Sequence, residues 1–126
     1  MINIETIKLR PNSTLKDAIE VINNGCAQVA CVLDDNNQLI GLVTDGDIRR
    51  KLLKSQKPLS ALFVDDALVH SIQTPIVVHP TDLLFDAVTL MDKNQVWDLP
   101  VVNDQNKLLG ILHSHRAVAV LLGIVN

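Results

Sequence analysis

Thr44, Asp45, Asp47, Arg49 and Arg50 crowd hydroxyl, carboxylate and guanidinium groups into one short stretch, Gly41-Leu42-Val43-Thr44-Asp45-Gly46-Asp47-Ile48-Arg49-Arg50. The apolar run before it has strand length, and the charged residues from about Gly46 to Lys54 have a helical pattern. Such a strand end would deliver Thr44 and Asp47 into a cleft. The helix start beyond it offers unpaired backbone N–H groups and the positive end of a dipole. A carboxylate such as Asp47 suits sugar hydroxyls, whereas the helix start and its arginines suit an anion such as phosphate. The plainer alternative is a helix cap, with Thr44 or Asp45 capping and Asp47 in the first turn.

Other chemistries fit the sequence less well. Asp45 and Asp47 resemble a metal-chelating pair of the kind that handles nucleotide sugars. A strand-to-helix turn, however, points such neighbours apart. His113-Ser114-His115 has zinc-binding residue types, but histidines two apart at a helix start diverge, and His70 and His79 lie in other segments. The expectation is therefore no catalytic residue, no metal ligand and no required cofactor. Trp97, the single tryptophan, is expected in the core or at a dimer contact before it is expected to stack on a base.

The bulk properties exclude several classes. The chain has 126 residues, 48% of them apolar and 20% charged, as expected for one compact soluble domain. No apolar run approaches the roughly 18 residues that span a bilayer, and Glu5, Lys8 and Arg10 interrupt any signal-like start. A cytoplasmic protein with no membrane partner is expected. Net charge is −3 with two Phe and no Tyr, so the basic, aromatic surface of a nucleic-acid binder is missing. The basic run Arg49, Arg50, Lys51, Lys54 and Lys57 is read as a solvated helix face. Cys26 and Cys31 sit among apolar residues and are read as buried free thiols.

In chain order, Ile2 to Leu9 is expected to be a short strand or an extended lead-in. A helix capped by Ser13 or Thr14 then runs to about Asn24, burying Leu15, Ala18, Ile19 and Ile22, and Asn23-Asn24-Gly25 closes it with residues that tolerate the left-handed conformation. Val29 to Leu33 and Gln38 to Val43 are strands around the turn Asp34 to Asn37. From Ile76 the pattern begins again: an extended Ile76 to Val78, a helix capped by Thr81 or Asp82 with Leu84, Ala87, Val88 and Met91 on one face, strands at Leu99 to Val102 and Lys107 to Leu112, and a last helix from Ser114 to about Leu122. The two passes superpose without a gap at an offset of 69 residues. Ile7, Pro11, Leu15, Asp17, Ala18, Val32, Asp35, Asn37, Leu39 and Gly41 meet identical residues at Ile76, Pro80, Leu84, Asp86, Ala87, Val101, Asp104, Asn106, Leu108 and Gly110. This is a tandem duplication. The expected fold is α/β (α+β), two pseudo-symmetric β-α-β-β-α repeats packed sheet to sheet, with repeats at 1–57 and 76–126 and a connector at 58–75. Equivalent strand-to-helix turns would then flank clefts between the halves, where small ligands lodge.

Two such units, each with a Gly-apolar-apolar-Thr/Ser-x-x-Asp segment before its last helix, resemble a pair of cystathionine-β-synthase-type (CBS) domains, a Bateman module. The resemblance covers nearly the whole chain and is complete in the first repeat at Gly41, Leu42, Val43, Thr44, Asp47 and Ile48. It implies a non-catalytic regulatory module that binds AMP, ADP, ATP or a related nucleotide. Asp47 would take the ribose hydroxyls and Thr44 the phosphate side. Leu42 and Ile76 would sandwich the base, with Gln28 facing the same cleft. In the second repeat His113 replaces the Thr/Ser and Arg116 the Asp. Arginine accepts no hydrogen bond from a diol, so an anion at that helix start is the alternative to a vestigial site.

The segment Thr44 to Arg50 is further similar to CBS pairs that precede sugar-nucleotide transferase domains, and to the CBS tail of arabinose-5-phosphate isomerases. The ending Gly110 to His115 is closer to the isomerase tail, while Met1 directly before the first repeat favours a leading or free-standing module. A sugar nucleotide thus joins the candidate ligands, and an enzyme of sugar-nucleotide or polysaccharide metabolism the candidate fused or associated partners. Apolar residues expected to be exposed on the helices after each motif, Leu52, Leu53, Leu121, Leu122 and Ile124, imply a homodimer. The competing reading is a structural dimerisation module without a ligand.

Overall fold

The computed structural model describes residues 3–25 and 27–123. The expectations for Cys26, for Ile124 and for the first residues of the N-terminal strand lie outside the described residues.

Strand β1 is only Lys8–Leu9. The segment expected to extend it instead forms a 3-10 turn, Ile4–Thr6, because the Asn3 side chain accepts the Glu5 N–H at 3.0 Å. Helix α1 (Leu15–Asn24) starts at Thr14 in a capping box: Thr14 Oγ1 accepts the Asp17 N–H and Asp17 Oδ2 accepts the Thr14 N–H. It does not end in a left-handed residue. Gly25 has φ −92°, and glycine is needed there because a Cβ would lie 2.9 Å from the Val21 carbonyl oxygen.

Strands β2 (Val29–Leu33) and β3 (Leu39–Thr44) pair antiparallel, and β1 lies parallel to β2. Helix α2 (Asp45–Lys54) follows, then α3 (Leu59–Phe63) and a 3-10 turn at Ala67–His70. Helix α4 (Leu84–Asn94), strands β4 (Asp98–Val102) and β5 (Leu108–His113) and helix α5 (Ser114–Leu121) complete the second unit. Neither Thr81 nor Asp82 caps α4. Leu83 is its N-cap, without a side-chain bond, and the Asp82 carboxylate accepts the His79 N–H at 2.8 Å.

The duplication survives in detail. Val29 pairs with Thr44 as Asp98 pairs with His113, and each hairpin carries a bulge at the same place. Asn37 and Asn106 both sit at φ 62°, a conformation asparagine tolerates. One difference has a clear cause. Cys31 donates its N–H to the Ile7 carbonyl at 2.8 Å, but the equivalent residue in the second unit is Pro100, which has no N–H. The first strand of that unit is thereby reduced to one parallel bridge, Val78 to Val101.

The two sheets pack face to face. Alternate residues of β2 explain why its whole length is buried. Val29, Cys31 and Leu33 point to a core shared with Val102, Leu108 and Ile111 of the second unit. Ala30 and Val32 point the other way, into a core with Leu15, Ala18, Ile48 and Leu62 under the helices. A smaller core under α4 gathers Val78, Ala87, Met91 and Leu99. Leu52 departs from expectation: it is half-buried against the first helical core, whereas Leu53, Leu121 and Leu122 are exposed.

Burial pushes the Cys31 thiol up to about 12, with the negative charge of Asp98 adding to the effect. In a Cys26→Ser background, Cys31 should therefore resist an aromatic disulfide reagent at pH 8 and react only at the rate of unfolding. Rapid reaction under native conditions would contradict its placement. A Cβ on Gly41 would overlap Ser71 Oγ and lie 3.0 Å from Leu68 Cδ1. Gly41→Ala should cost about 1–3 kcal/mol in urea denaturation, with recovery in Gly41→Ala/Ser71→Gly.

Candidate functional site

The bulge in β3 aims the site. Val32 pairs with Gly41 and Leu33 with Leu39, so Ile40 is skipped and the alternation of side chains changes phase. Leu39 and Leu42 consequently both face the shared core, and Thr44, two residues beyond Leu42, emerges on the same side at the strand end. There the connector completes the wall. Leu42 and Ile72 exchange backbone hydrogen bonds of 2.9 and 2.8 Å as an isolated antiparallel bridge.

Thr44 is the N-cap of α2, with its Oγ1 accepting the Asp47 N–H at 3.0 Å. The helix-cap reading is thus correct as far as it goes. It leaves the Asp47 carboxylate unexplained. Oδ1 accepts from Arg50 Nη2 at 2.6 Å, while Oδ2 is buried and has no partner among the described residues. A buried carboxylate oxygen with a free acceptor position is costly, and a hydroxyl donor in the adjoining space would satisfy it. Arg49 turns to Asp45, at 3.5 Å.

That space is a cavity of about 660 Å³ between the two units, within the range of small-molecule sites. All the residues assigned to the first site line it: Gln28, Leu42, Thr44, Asp47 and Ile76. Asp45, Gly46 and Arg50 complete the side from the first unit, Ile72 and Thr74 the connector side, and Val96, Trp97 and Asp98 the far wall. Trp97 is therefore not a core residue. It is 59% exposed at the cleft mouth, edge-on to His115. Sequence reasoning missed Arg50 as the partner of Asp47, although their i, i+3 spacing was visible. It also missed the segment around Val96, which α4 reaches through a left-handed Gln95 (φ 54°) that no glycine announces.

The second motif is built differently. His113 Nδ1 lies 2.7 Å from Oδ1 of Asp98, whose other oxygen accepts the Gln28 N–H at 3.4 Å. The imidazole is thus turned inward onto a buried carboxylate rather than facing solvent, and it caps nothing. Arg116 is exposed. Neither residue lines the cleft around Asp47.

The CBS-domain family model matches residues 2–54 and 64–123. The crystal structure of CBSX2 from Arabidopsis thaliana in complex with AMP superposes with a TM-score of 0.81 at 29% identity, over 98% of this chain and 93% of that one. Among curated proteins, the chain is 30% identical over 101 residues to the arabinose 5-phosphate isomerase KpsF of Escherichia coli, covering 80% of this chain and 30% of the isomerase. It is likewise 30% identical over 105 residues to the arabinose 5-phosphate isomerase KdsD of Yersinia pestis, covering 83% of this chain and 30% of that one. The chain spans about a third of the length of the curated relatives it matches.

Thr44→Val should lose the α2 cap and about 0.5–2 kcal/mol of stability, whereas Thr44→Ser should retain most of it. Urea denaturation measures the difference, and equal stability of the valine variant would remove Thr44 from the capping role.

Proposed function

The chain belongs to the CBS-domain family as a tandem pair, and from that premise we propose that it is a non-catalytic sensor of an adenosine nucleotide or a related nucleotide. The observation that carries this reading is the buried, unpartnered Oδ2 of Asp47 in a cleft lined by both units. Asp47 receives the ribose hydroxyls, and Thr44 with the start of α2 receives the first phosphate. Leu42 and Ile76 flank the base, with Gln28 at the cleft edge. AMP bound to CBSX2, whose fold this chain shares, supports the ligand class. We take 1–57 and 76–126 as the repeats and 58–75 as their connector.

Sensing requires differential affinity for two states of a partner. The likeness to arabinose 5-phosphate isomerases favours an enzyme of sugar-nucleotide or polysaccharide metabolism as that partner, fused or associated, and keeps a sugar nucleotide among the ligands. A cytoplasmic homodimer, formed through the exposed Leu53, Leu121 and Leu122, is part of the same proposal. The Arg50–Asp47 pair favours a second reading, a ligand-free dimerisation module, because it already engages one carboxylate oxygen.

Thermal unfolding with AMP, ADP, ATP, S-adenosylmethionine and CMP- or GDP-sugars separates the two. A bound nucleotide at 100 times its Kd should stabilise wild type by about 2.7 kcal/mol, and Asp47→Ala should abolish the shift. No shift with any nucleotide, or an equal shift in Asp47→Ala, would leave the ligand-free reading.

A further inference from the structure

The basic run on α2 does more than coat a helix with charge. A second cavity, of about 550 Å³, lies along its later turns, walled by Arg50, Lys51, Lys54 and Lys57 with His70 and Ser71 of the connector opposite. Asp47, Arg50 and Ile72 line both this cavity and the cleft, so the two spaces adjoin across these side chains. Arg50 is matched by Asp47, and Lys57 by Asp65 at 2.9 Å. Among the described residues Lys51 and Lys54 make no ion pair. Two ammonium groups are thus left uncompensated on one wall, in a chain whose net charge is −3.

The opposite wall is built to hold its shape. His70 Nε2 and Lys57 Nζ both reach Asp65 Oδ2 at 2.9 Å. These bonds, the one from Lys57 first, hold the Asp65 carboxyl below the usual carboxylate range. His70 Nδ1 is buried and has no partner among the described residues. Lys51 follows Asp47 by about one turn and Lys54 by about two, so a chain of charge leaving Asp47 meets ammonium groups roughly 6 and 10 Å along the helix axis.

We infer that this cavity is a polyphosphate subsite: a nucleotide whose ribose rests on Asp47 and whose first phosphate lies at the start of α2 turns its remaining phosphates back past Arg50 toward Lys51 and Lys54. The inference rests on the nucleotide reading of the cleft and goes beyond it: it selects nucleoside triphosphates over monophosphates. The cause is Coulombic, two additional phosphate–ammonium contacts in a partly enclosed space.

Titration calorimetry at low salt, in magnesium-free buffer, with AMP, ATP and inorganic tripolyphosphate tests it. Wild type should bind ATP about tenfold tighter than AMP, a ratio that shrinks as added salt screens the contacts. In Lys51→Ala/Lys54→Ala, AMP affinity should be unchanged while the ATP advantage falls below about threefold. Equal affinity of wild type for ATP and AMP, or an ATP advantage that survives the double substitution, would overturn the subsite while leaving the cleft reading intact. Binding of tripolyphosphate alone to wild type, lost in the double variant, would uphold the anion site even if no nucleotide bound, and would then overturn the cleft reading instead.

Discussion

The structure depends on the way the two hairpins hold each other. The Leu39 N–H donates to the Asn106 carbonyl at 3.0 Å and the Leu108 N–H to the Asn37 carbonyl at 3.1 Å. Asn106 Nδ2 adds a bond to the Leu39 carbonyl and Gln38 Nε2 one to the Gln105 carbonyl. Asn37 and Asn106, both left-handed, turn their carbonyls toward the partner hairpin. Beneath this crossing lies the core made by Cys31, Leu33, Leu39, Val102, Leu108 and Ile111 from both sheets. Neither unit could bury both faces of so small a sheet alone. The face-to-face contact fixes the angle at which β3 and the segment around Val96 meet, and with it the cleft.

A symmetric frame then yields an asymmetric molecule. Ile76 is 40% exposed and lines the open cleft, while its counterpart Ile7 is fully buried. Part of the reason is Pro100, which cannot hold the second first-strand in register as the Cys31 amide holds the first. Part is the 3-10 turn at Ile4–Thr6, which packs against β5 where Gln73 to Pro75 run irregularly past the first cleft. Asp98 does the rest. It stands where the first unit has Val29, and as a buried carboxylate it requires donors, which His113 and the Gln28 amide provide. The side chain that stands where the first unit has Thr44 is thereby turned onto Asp98.

Thr44 and Asp47 show how one turn serves fold and chemistry together. The cap uses Thr44 Oγ1 and the Asp47 amide, which serve α2 whether or not anything binds. The Asp47 carboxylate is surplus to that need. Arg50 draws one of its oxygens and leaves the other buried and without a partner among the described residues. The second copy makes the contrast plain, since α5 forms with no side-chain cap and has Arg116 where α2 has Asp47.

The sequence alone determined the duplication, the element order, the family and the residues of the first motif, because each is written in short-range patterns: helical and strand periods, turn residues, and ten identities at a fixed offset. It determined less well what depends on which amide meets which acceptor. The segment Ile4–Thr6, expected to be extended, became a 3-10 turn, and Asp82 served His79 rather than α4. What only the tertiary structure decided was long-range. Trp97 was placed at the cleft mouth rather than in the core, and His113 was drawn onto a buried Asp98. The connector was laid opposite α2, so that a charge run became the wall of a cavity. Each of these follows from burial, and burial is a property of the packed chain that no local pattern specifies.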